Sequence, residues 1–304
     1  KNIKALALGD YTVNMGQGLL TWQSHAYSKG AGAMMIKREG DVLKPYTSSG
    51  EVYFFRGVGI TYQLNNFHLT FFGSLRKLDA AIDSADIETP LAGSIGTSGY
   101  HRTASELANK GSVNLLTVGG AIKYQRQRWH VGLNIIRHDF SPPLYKVQQP
   151  YNQFDFTGKN LIGASTDFAA YWKNVHFFGE WAASNNLARA LVIGGLTTIA
   201  PTVDLSFAYR SYSKDYHGFF TNSFGNYYQT ANETGCYAGM ALRMGKMLTI
   251  ESFIDLYRSP WLRYRKNAPS NGAEYAVSGT YSPDKLTQYR LRCSYQVTRQ
   301  NETI

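Results

Sequence analysis

The chain has 304 residues, a formal net charge of +10 and two cysteines, and aromatic residues make up 14% of it while charged residues make up only 17%. No apolar run reaches the ~18–20 residues of a membrane-spanning helix, and the two cysteines have no CxxC or Cys/His spacing, which excludes a disulfide framework and a zinc site. Two classes remain: a soluble all-β protein, or a membrane β-barrel whose hydrophobicity is hidden in alternation. The positive charge fits solubility, anionic headgroups or an anionic ligand such as nucleic acid.

The first predicted strand covers residues 1–13 and runs into GDYTVNMGQGLLTW (9–22). The glycines around Gln17 permit a tight bend, and we predict a bulge at the rim of the sheet. Phosphate binding by such a segment needs a following helix N-terminus, and none is evident. The first long connection, 25–51, contains IKREGDVLKPYTSSGE. In it Lys37, Arg38 and Lys44 are candidates for contacting an anion on an external loop, and a solvated loop face is the alternative.

The rest of the chain is predicted as a series of hairpins. Alternating segments join at short turns such as Asn65-Asn66, which tolerate positive φ, and Lys173-Asn174. The hairpins are 52–64 with 67–77, 113–126 with 129–140, 160–172 with 175–184, 188–200 with 203–213, 233–244 with 247–258, and 272–282 with 286–298. With the first strand this gives about thirteen strands, and closure of a barrel predicts about 14–18 when it is complete.

Strand length and loop asymmetry separate the two classes. Most predicted strands have about ten to thirteen residues, which suits a tilted bilayer crossing better than the ~5–6 residues of an average soluble strand. Turns of about two or three residues alternate with long connections, as in a barrel with short periplasmic turns and long external loops. The long connections are 25–51, 78–112, 141–159, 214–232 and 259–271, and only the short 185–187 breaks the pattern. A two-sheet β-sandwich is the alternative fold.

The two faces of the strands explain the segment LTQYRLRCSYQVTR (286–299). Tyr289, Leu291 and Tyr295 are predicted to face lipid, whereas Arg290 and Arg292 face a polar lumen, because a cation at mid-bilayer costs ~2–4 kcal/mol. The same alternation predicts a set of lumen-facing charges that pair with one another or meet water. They are Lys123, Asp167, Glu180, Asp204, Arg210, Arg243, Glu251, Asp255, Glu274, Arg290 and Arg292.

Two further loops carry candidate binding residues. HRTASELANKG (101–111) has a capping box of Thr103 with Glu106, which predicts a short helix. His101 and Arg102 precede its N-terminus and suit either an anion or packing of the loop. SPWLRYRKNAPS (259–270) interleaves aromatic and basic residues, which suits base stacking or the belt where a barrel meets headgroups. Its candidates are Trp261, Arg263, Tyr264, Arg265 and Lys266.

The motifs KALALGDYTVNMGQGLLTW, IKREG with KPYTSSGE, SGYHRTASELA, QPYNQFDFTG and SPWLRYRKNAPSNGAEY occur in this order along the chain. In this the chain resembles the C-terminal β-rich region of Bacteroidota helix-hairpin-helix proteins, which are related to competence DNA-binding proteins. The resemblance implies nucleic acid as a partner and an upstream helix-hairpin-helix region. That region is absent from this sequence, as are several strands expected before GDY. We therefore expect residues 1–304 to form one outer-membrane β-barrel domain without those parts.

Three functions are open at this point. The first is a channel or membrane anchor in a macromolecule-handling assembly, with DNA uptake or translocation as the case that the resemblance favours. The second is a diffusion porin with a mild preference for anions. The third is a plugged structural barrel that docks lipoprotein partners. The seven histidines are scattered and no Ser/His/Asp or paired-carboxylate arrangement stands out, so we expect no enzyme, no metal and no cofactor.

Overall fold

Sixteen β-strands and one short helix form the regular structure of the computed structural model, which describes residues 2–27, 29–30, 32–48, 50, 52–83 and 90–299. The helix α1 is Ala104–Ala108. The strands are β1 (Ile3–Val13), β2 (Leu43–Pro45), β3 (Phe55–Leu64), β4 (Phe67–Leu78), β5 (Ala80–Asp83), β6 (Leu91–Ile95), β7 (Val113–Gln125), β8 (Trp129–Leu144), β9 (Gly158–Trp172), β10 (Val175–Ser184), β11 (Arg189–Ala200), β12 (Val203–Tyr212), β13 (Glu233–Met244), β14 (Leu248–Ser259), β15 (Ser270–Tyr281) and β16 (Tyr289–Thr298).

One antiparallel sheet contains nearly all of these strands. Its order is β16-β15-β14-β13-β12-β11-β10-β9-β8-β7-β4-β3-β1-β2, so strands adjacent in the chain are mostly adjacent in space. The β5–β6 hairpin lies off this path, where Ala92 of β6 pairs in parallel with Leu144 of β8. The predicted all-β antiparallel fold is confirmed.

The predicted number of strands is wrong. The three additional strands β2, β5 and β6 have only 3, 4 and 5 residues and lie inside long connections, where alternation is too short to detect. The start of β16 also differs, because Leu286 and Thr287 both donate their backbone N–H to the Asp284 carboxylate. This turn delays the strand until Tyr289.

The outward face of the sheet is apolar and exposed. On β8, Leu133 and Ile135 are 57% and 54% exposed, while Ile136 on the opposite face is buried. Hydrocarbon is the environment in which such a face costs nothing. The short-turn end of the sheet carries a girdle of exposed aromatic side chains, as barrels do where they meet headgroups. It consists of Phe67, Trp129, Trp172, Tyr281 and Tyr289.

The connections differ in length at the two ends. At the short-turn end, Asn65 and Lys173 adopt positive φ angles of 51° and 54° in tight turns. At the long-loop end, α1 begins with the predicted capping box, in which Thr103 accepts the Glu106 N–H and Glu106 accepts the Thr103 N–H. In the described part of the chain, no helix combines the length and the apolar character needed to cross a membrane.

Parts of the long connections lie against the inward face of the sheet. Segments from two long connections contact the inward faces of strands as far apart in the sheet as β1, β10 and β15. At the sheet ends, no hydrogen-bonded pairing joins β16 to β1 among the residues the structure describes. With one neighbouring strand only, β16 is exposed on both faces along nearly its whole length.

Candidate functional site

Residues 14–42, here called the plug, fold into the interior of the sheet (residues 28 and 31 lie outside the described part). The plug enters and leaves at one point, because the Asn14 N–H donates to the Val42 carbonyl at 2.9 Å. Met15 and Leu19 are fully buried within it. The prediction of an external loop is therefore wrong for residues 25–42 of the predicted connection 25–51, because burial of apolar side chains draws the plug inward.

The GQG turn of the plug holds a carboxylate of the wall. Gly16 and Gly18 have positive φ angles of 52° and 83°, and their turn directs the backbone N–H groups of Gln17 and Leu19 towards the wall. The Gln17 and Leu19 N–H groups donate to one carboxylate oxygen of Glu180 on β10 at 2.6 and 3.0 Å. Instead of the predicted bulge at the rim, the sequence forms an anion-binding turn, of the kind called a nest, inside the barrel.

Arg38 ties the plug to the long connection between β12 and β13. Its guanidinium donates to the Asn222 carbonyl at 2.8 Å and to the Tyr27 carbonyl at 2.6 Å. Its backbone N–H donates to the Gln17 side chain at 2.9 Å. Arg38 is buried, so the anion-contacting role predicted on an external loop is not available to it.

The long-loop half of the wall carries a buried ion cluster. Arg210 donates to both carboxylate oxygens of Asp255, at 2.8 and 3.0 Å, and pairs with Glu233. Lys29 of the plug pairs with Asp255 at 2.9 Å and with Glu274. The plug therefore supplies a cation to an acidic region of the wall.

The eleven predicted lumen-facing charges all lie on the inward side of their strands, but the structure divides them into separate groups. Arg210, Asp255 and Glu274 belong to the buried cluster. Asp167 contacts His130 at 3.2 Å and Asn134 at 2.8 Å. Glu180 accepts the two N–H groups of the plug turn. The other six lie near the short-turn end, on β16 or beside the plug: Arg243 pairs with Asp204, Arg292 lies 3.7 Å from Glu274, Arg290 donates to Thr280, Glu251 lies beside Gly32, and Lys123 lines two cavities.

At the long-loop end, three connections meet across the mouth of the barrel. The Lys214 ammonium lies 4.1 Å from the ring centroid of Phe154 and 4.5 Å from that of Trp261. The Tyr151 and Tyr264 rings meet edge to face, with centroids 5.6 Å apart. Two adjoining cavities of about 370 and 420 Å³ lie here and share Lys214 and Phe154, and together they are called the outer cleft.

The predicted loop 259–270 lies in the outer cleft, and its contacts with other loops do not fit a headgroup belt. The Arg263 guanidinium lies 3.5 Å from the ring centroid of Tyr227 and donates to the Ala231 and Asn232 carbonyls. Burial lowers the pKa of Arg263 below its usual value. Lys266 donates to the Tyr227 and Thr298 hydroxyls at 3.3 and 2.7 Å.

The other predicted loop residues contact their own loops. His101 contacts Asp79 at 2.8 Å. Arg102 contacts Glu106 at 3.2 Å, and the backbone N–H of Arg102 lowers the pKa of the Glu106 carboxyl. The remaining members are exposed or half-buried: Lys44 is exposed on β2, Lys37 pairs with Glu39 at 3.1 Å, and the Arg265 guanidinium lies 5.2 Å from the Tyr264 ring.

Two adjoining cavities lie between the plug and β4, β7 and β8 at the short-turn end, with volumes of about 210 and 300 Å³. They are called the inner cavity, and both are lined by Lys123, Ala121 and Gly40. Gly132 faces Lys123 across the strands without a side chain. The small residues Gly40 and Ala121 leave space open around Lys123.

Several site residues escaped the sequence analysis. Lys29 lies in a segment predicted to be external, and Glu233 was not predicted to face the lumen. Lys214 stood in no motif. Alternation can assign a face to a strand residue, but it carries no signal for the side chains of an inward-folding connection. Among the described residues, no group of three or more His, Cys, Asp or Glu side chains is placed to hold a metal ion.

No family model and no curated protein sequence matches the chain. Among solved structures, it is similar to the outer membrane protein OprD from Pseudomonas aeruginosa, with a TM-score of 0.50 and 11% identity over 97% of this chain and 69% of that chain. Pseudomonas aeruginosa OccK9 gives a TM-score of 0.45 at 13% identity, over 81% and 62% of the two chains. Acinetobacter baumannii OccAB3 gives 0.42 at 13% identity, over 82% and 63%. The chain thus spans less than two thirds of the last two.

The likeness to OprD at this identity concerns the fold. It agrees with the exposed apolar outward face, the aromatic girdle and the asymmetry of the connections. The chain is a transmembrane β-barrel of the bacterial outer membrane, and its outward face contacts lipid.

Proposed function

We propose that the chain is an outer-membrane channel that its own plug holds closed. The observation that carries this proposal is the placement of the plug between two accessible spaces. The outer cleft lies at the long-loop end and the inner cavity at the short-turn end, and the plug lies along the path between them. A wall lined with charges on its inward face suits a hydrated path once the plug moves.

The contacts of the plug support a movable closure. The Glu180 carboxylate and the Lys29 ammonium hold it to the wall through polar contacts, which water can replace. The connection between β12 and β13 links the plug to the outer cleft. Its Tyr216 hydroxyl donates to the Leu19 carbonyl at 2.9 Å, and its Asn222 side chain donates to the Ala26 carbonyl at 2.8 Å. A molecule that binds in the outer cleft can therefore displace the plug through this connection.

The test is removal of the plug. Because Asn14 and Val42 are hydrogen-bonded neighbours, residues 15–41 can be replaced by a short Gly-Ser linker without pulling β1 from β2. We expect the intact barrel to give little or no steady current in planar bilayers and the plug-deleted barrel to give a large, stable conductance. A folded plug-deleted barrel without conductance would contradict the proposal.

A second variant tests the same proposal in case the plug-deleted barrel does not fold. Glu180→Gln with Lys29→Gln keeps the full chain but weakens both anchors. We expect brief openings from this double variant, and none from Lys246→Gln at an exposed turn. Heat-modifiable migration on gels reports folding of each variant.

A second candidate is a closed structural barrel that docks partners at its loops. The exposed rings of Tyr228 and Tyr264, 73% and 65% exposed at the mouth, favour it. It predicts that the anchor variants stay silent in bilayers and that alanine substitution of these rings abolishes copurification of a partner. Handling of DNA and the lack of enzymatic activity stay predictions from the sequence.

A further inference from the structure

We infer that the inner cavity is a binding site for a small oxyanion, such as a phosphate group. The inference assigns a class of ligand to one end of the proposed channel. Only the biological use of the site rests on the proposed function. The binding itself follows from the charges and the space at the short-turn end.

Lys123 is the central residue of this site. It projects inward from β7 and lines both parts of the inner cavity. Among the described residues, no carboxylate lies within ion-pairing distance of its ammonium and no hydrogen bond is made by it. A half-buried ammonium without a partner is costly to keep, and an oxyanion would supply both the charge and the acceptors.

Basic groups around Lys123 exceed the acids. His68 pairs with Lys123 across β4 and β7, and Lys4 lines the same part of the cavity. Arg126 and Arg128 line the other part from the β7–β8 turn. The basic lining residues are Lys4, Lys37, Arg38, Lys123, Arg126 and Arg128, with the imidazoles of His68, His130 and His176, against three acids, Glu39, Asp41 and Asp167.

The acids on the lining are partly occupied by other groups. Glu39 pairs with Lys37, and Asp167 contacts His130 and Asn134. Asp41 remains the acid that faces the cavity without an ion pair in the described part of the chain. The field around Lys123 therefore favours an anion, and about 210 and 300 Å³ suit a small solute rather than a polymer.

The plug forms one side of the site. Lys37 and Gly40 line the cavity from the plug, opposite Lys123 on the wall. Gly132, the cross-strand neighbour of Lys123, has no side chain, and the Asp167 carboxylate occupies the space over it, 2.3 Å from where a Cβ would lie. The site therefore exists only while the plug is in place.

The test is calorimetric titration of the full-length barrel in detergent with inorganic phosphate at low ionic strength. We expect saturable binding by the unchanged chain and a loss of at least about tenfold in affinity for Lys123→Gln, because a charge-assisted contact is removed. Lys246→Gln is the matched control, since Lys246 is an exposed lysine at the same end of the barrel and lines neither part of the cavity. Lys37→Gln probes the plug side if Lys123→Gln fails to fold.

The outcomes separate this inference from the channel proposal. Loss of binding in Lys123→Gln or Lys37→Gln, with Lys246→Gln unchanged, supports the site even if the plug-deleted barrel conducts nothing. No binding by the unchanged chain, or equal weakening in all three variants, overturns the site even if the plug-deleted barrel conducts.

Discussion

Arg210 is a buried charged residue whose stability depends on its partners. It is fully buried and shares its guanidinium between Asp255 and Glu233, which are also fully buried. Alternation correctly predicts that Arg210 and Asp255 point inward. Alternation does not predict which side chains on different strands meet. The contacts of the Arg210–Asp255 pair with Glu233 and with Lys29 of the plug are therefore known only from the structure.

We predict that Arg210→Met destabilises the barrel by about 3–5 kcal/mol, because it leaves buried carboxylates without their cation. Denaturant unfolding of the reconstituted barrel, followed by tryptophan fluorescence, measures this. Arg243→Met is the control: its pair with Asp204 is 43% exposed on the arginine side, so water screens it and the loss should be much smaller than for Arg210→Met. Similar losses in the two variants would contradict the assignment of a dry cluster.

Gly16 is a second position at which a side chain would disturb the contact between the plug and the wall. Its φ is 52°, and a Cβ there would lie 2.5 Å from the Glu180 carboxyl carbon. We predict that Gly16→Ala loosens the plug at a cost of about 1–3 kcal/mol, seen as proteolytic cleavage within residues 14–42 of the folded barrel. Gly279→Ala, where a Cβ meets no atom within 4 Å, should leave the plug resistant. Equal resistance of both variants would mean that the nest does not hold the plug.

At the level of elements, strands and connections differ in how far they follow from sequence. In a strand such as β13, the alternation of apolar and polar residues predicts which side chains face inward and which face outward, because the pleat points successive side chains to opposite faces. The plug contains no alternation and no helix period, and its buried apolar side chains, among them Met15, Leu19, Leu20 and Ile36, direct it inward. Its position could not be predicted because such residues pack against distant strands.

The face assignment of β16 can be tested by cysteine labelling. Cys293 is exposed on the outward side of β16, beside the outward Tyr295, and Arg292 is on the inward side. In liposomes and in a Cys236→Ser background, we predict slow reaction of Cys293 with a charged maleimide, because hydrocarbon excludes the reagent. Arg292→Cys with Cys293→Ser should react quickly from the water-filled side. Equal rates would show that lipid does not cover the outward face of this strand.

For the whole molecule, net charge is a poor guide to the interior. The chain carries +10 overall, which at the sequence level favours anions. Yet the predicted inward wall has six acids (Asp167, Glu180, Asp204, Glu251, Asp255 and Glu274) and five bases (Lys123, Arg210, Arg243, Arg290 and Arg292). The excess positive charge of the chain therefore lies entirely outside this set. The plug offsets the acids locally through Lys29, so the closed and open barrels have different internal fields.

We predict that the plug-deleted barrel prefers cations, although the net charge suggests the reverse. Replacing residues 15–41 removes Lys29, Lys37 and Arg38 against Glu39 and Asp41, and it leaves Asp255 and Glu274 facing water without Lys29. Acidic groups on a narrow wall concentrate cations, so the reversal potential in a KCl gradient should correspond to a preference of at least about twofold for potassium. Glu274→Gln in the same background should reduce that preference, because its carboxylate loses the Lys29 partner with the plug. A chloride preference in the deletion would instead place the controlling charges at the basic short-turn end, near Lys123.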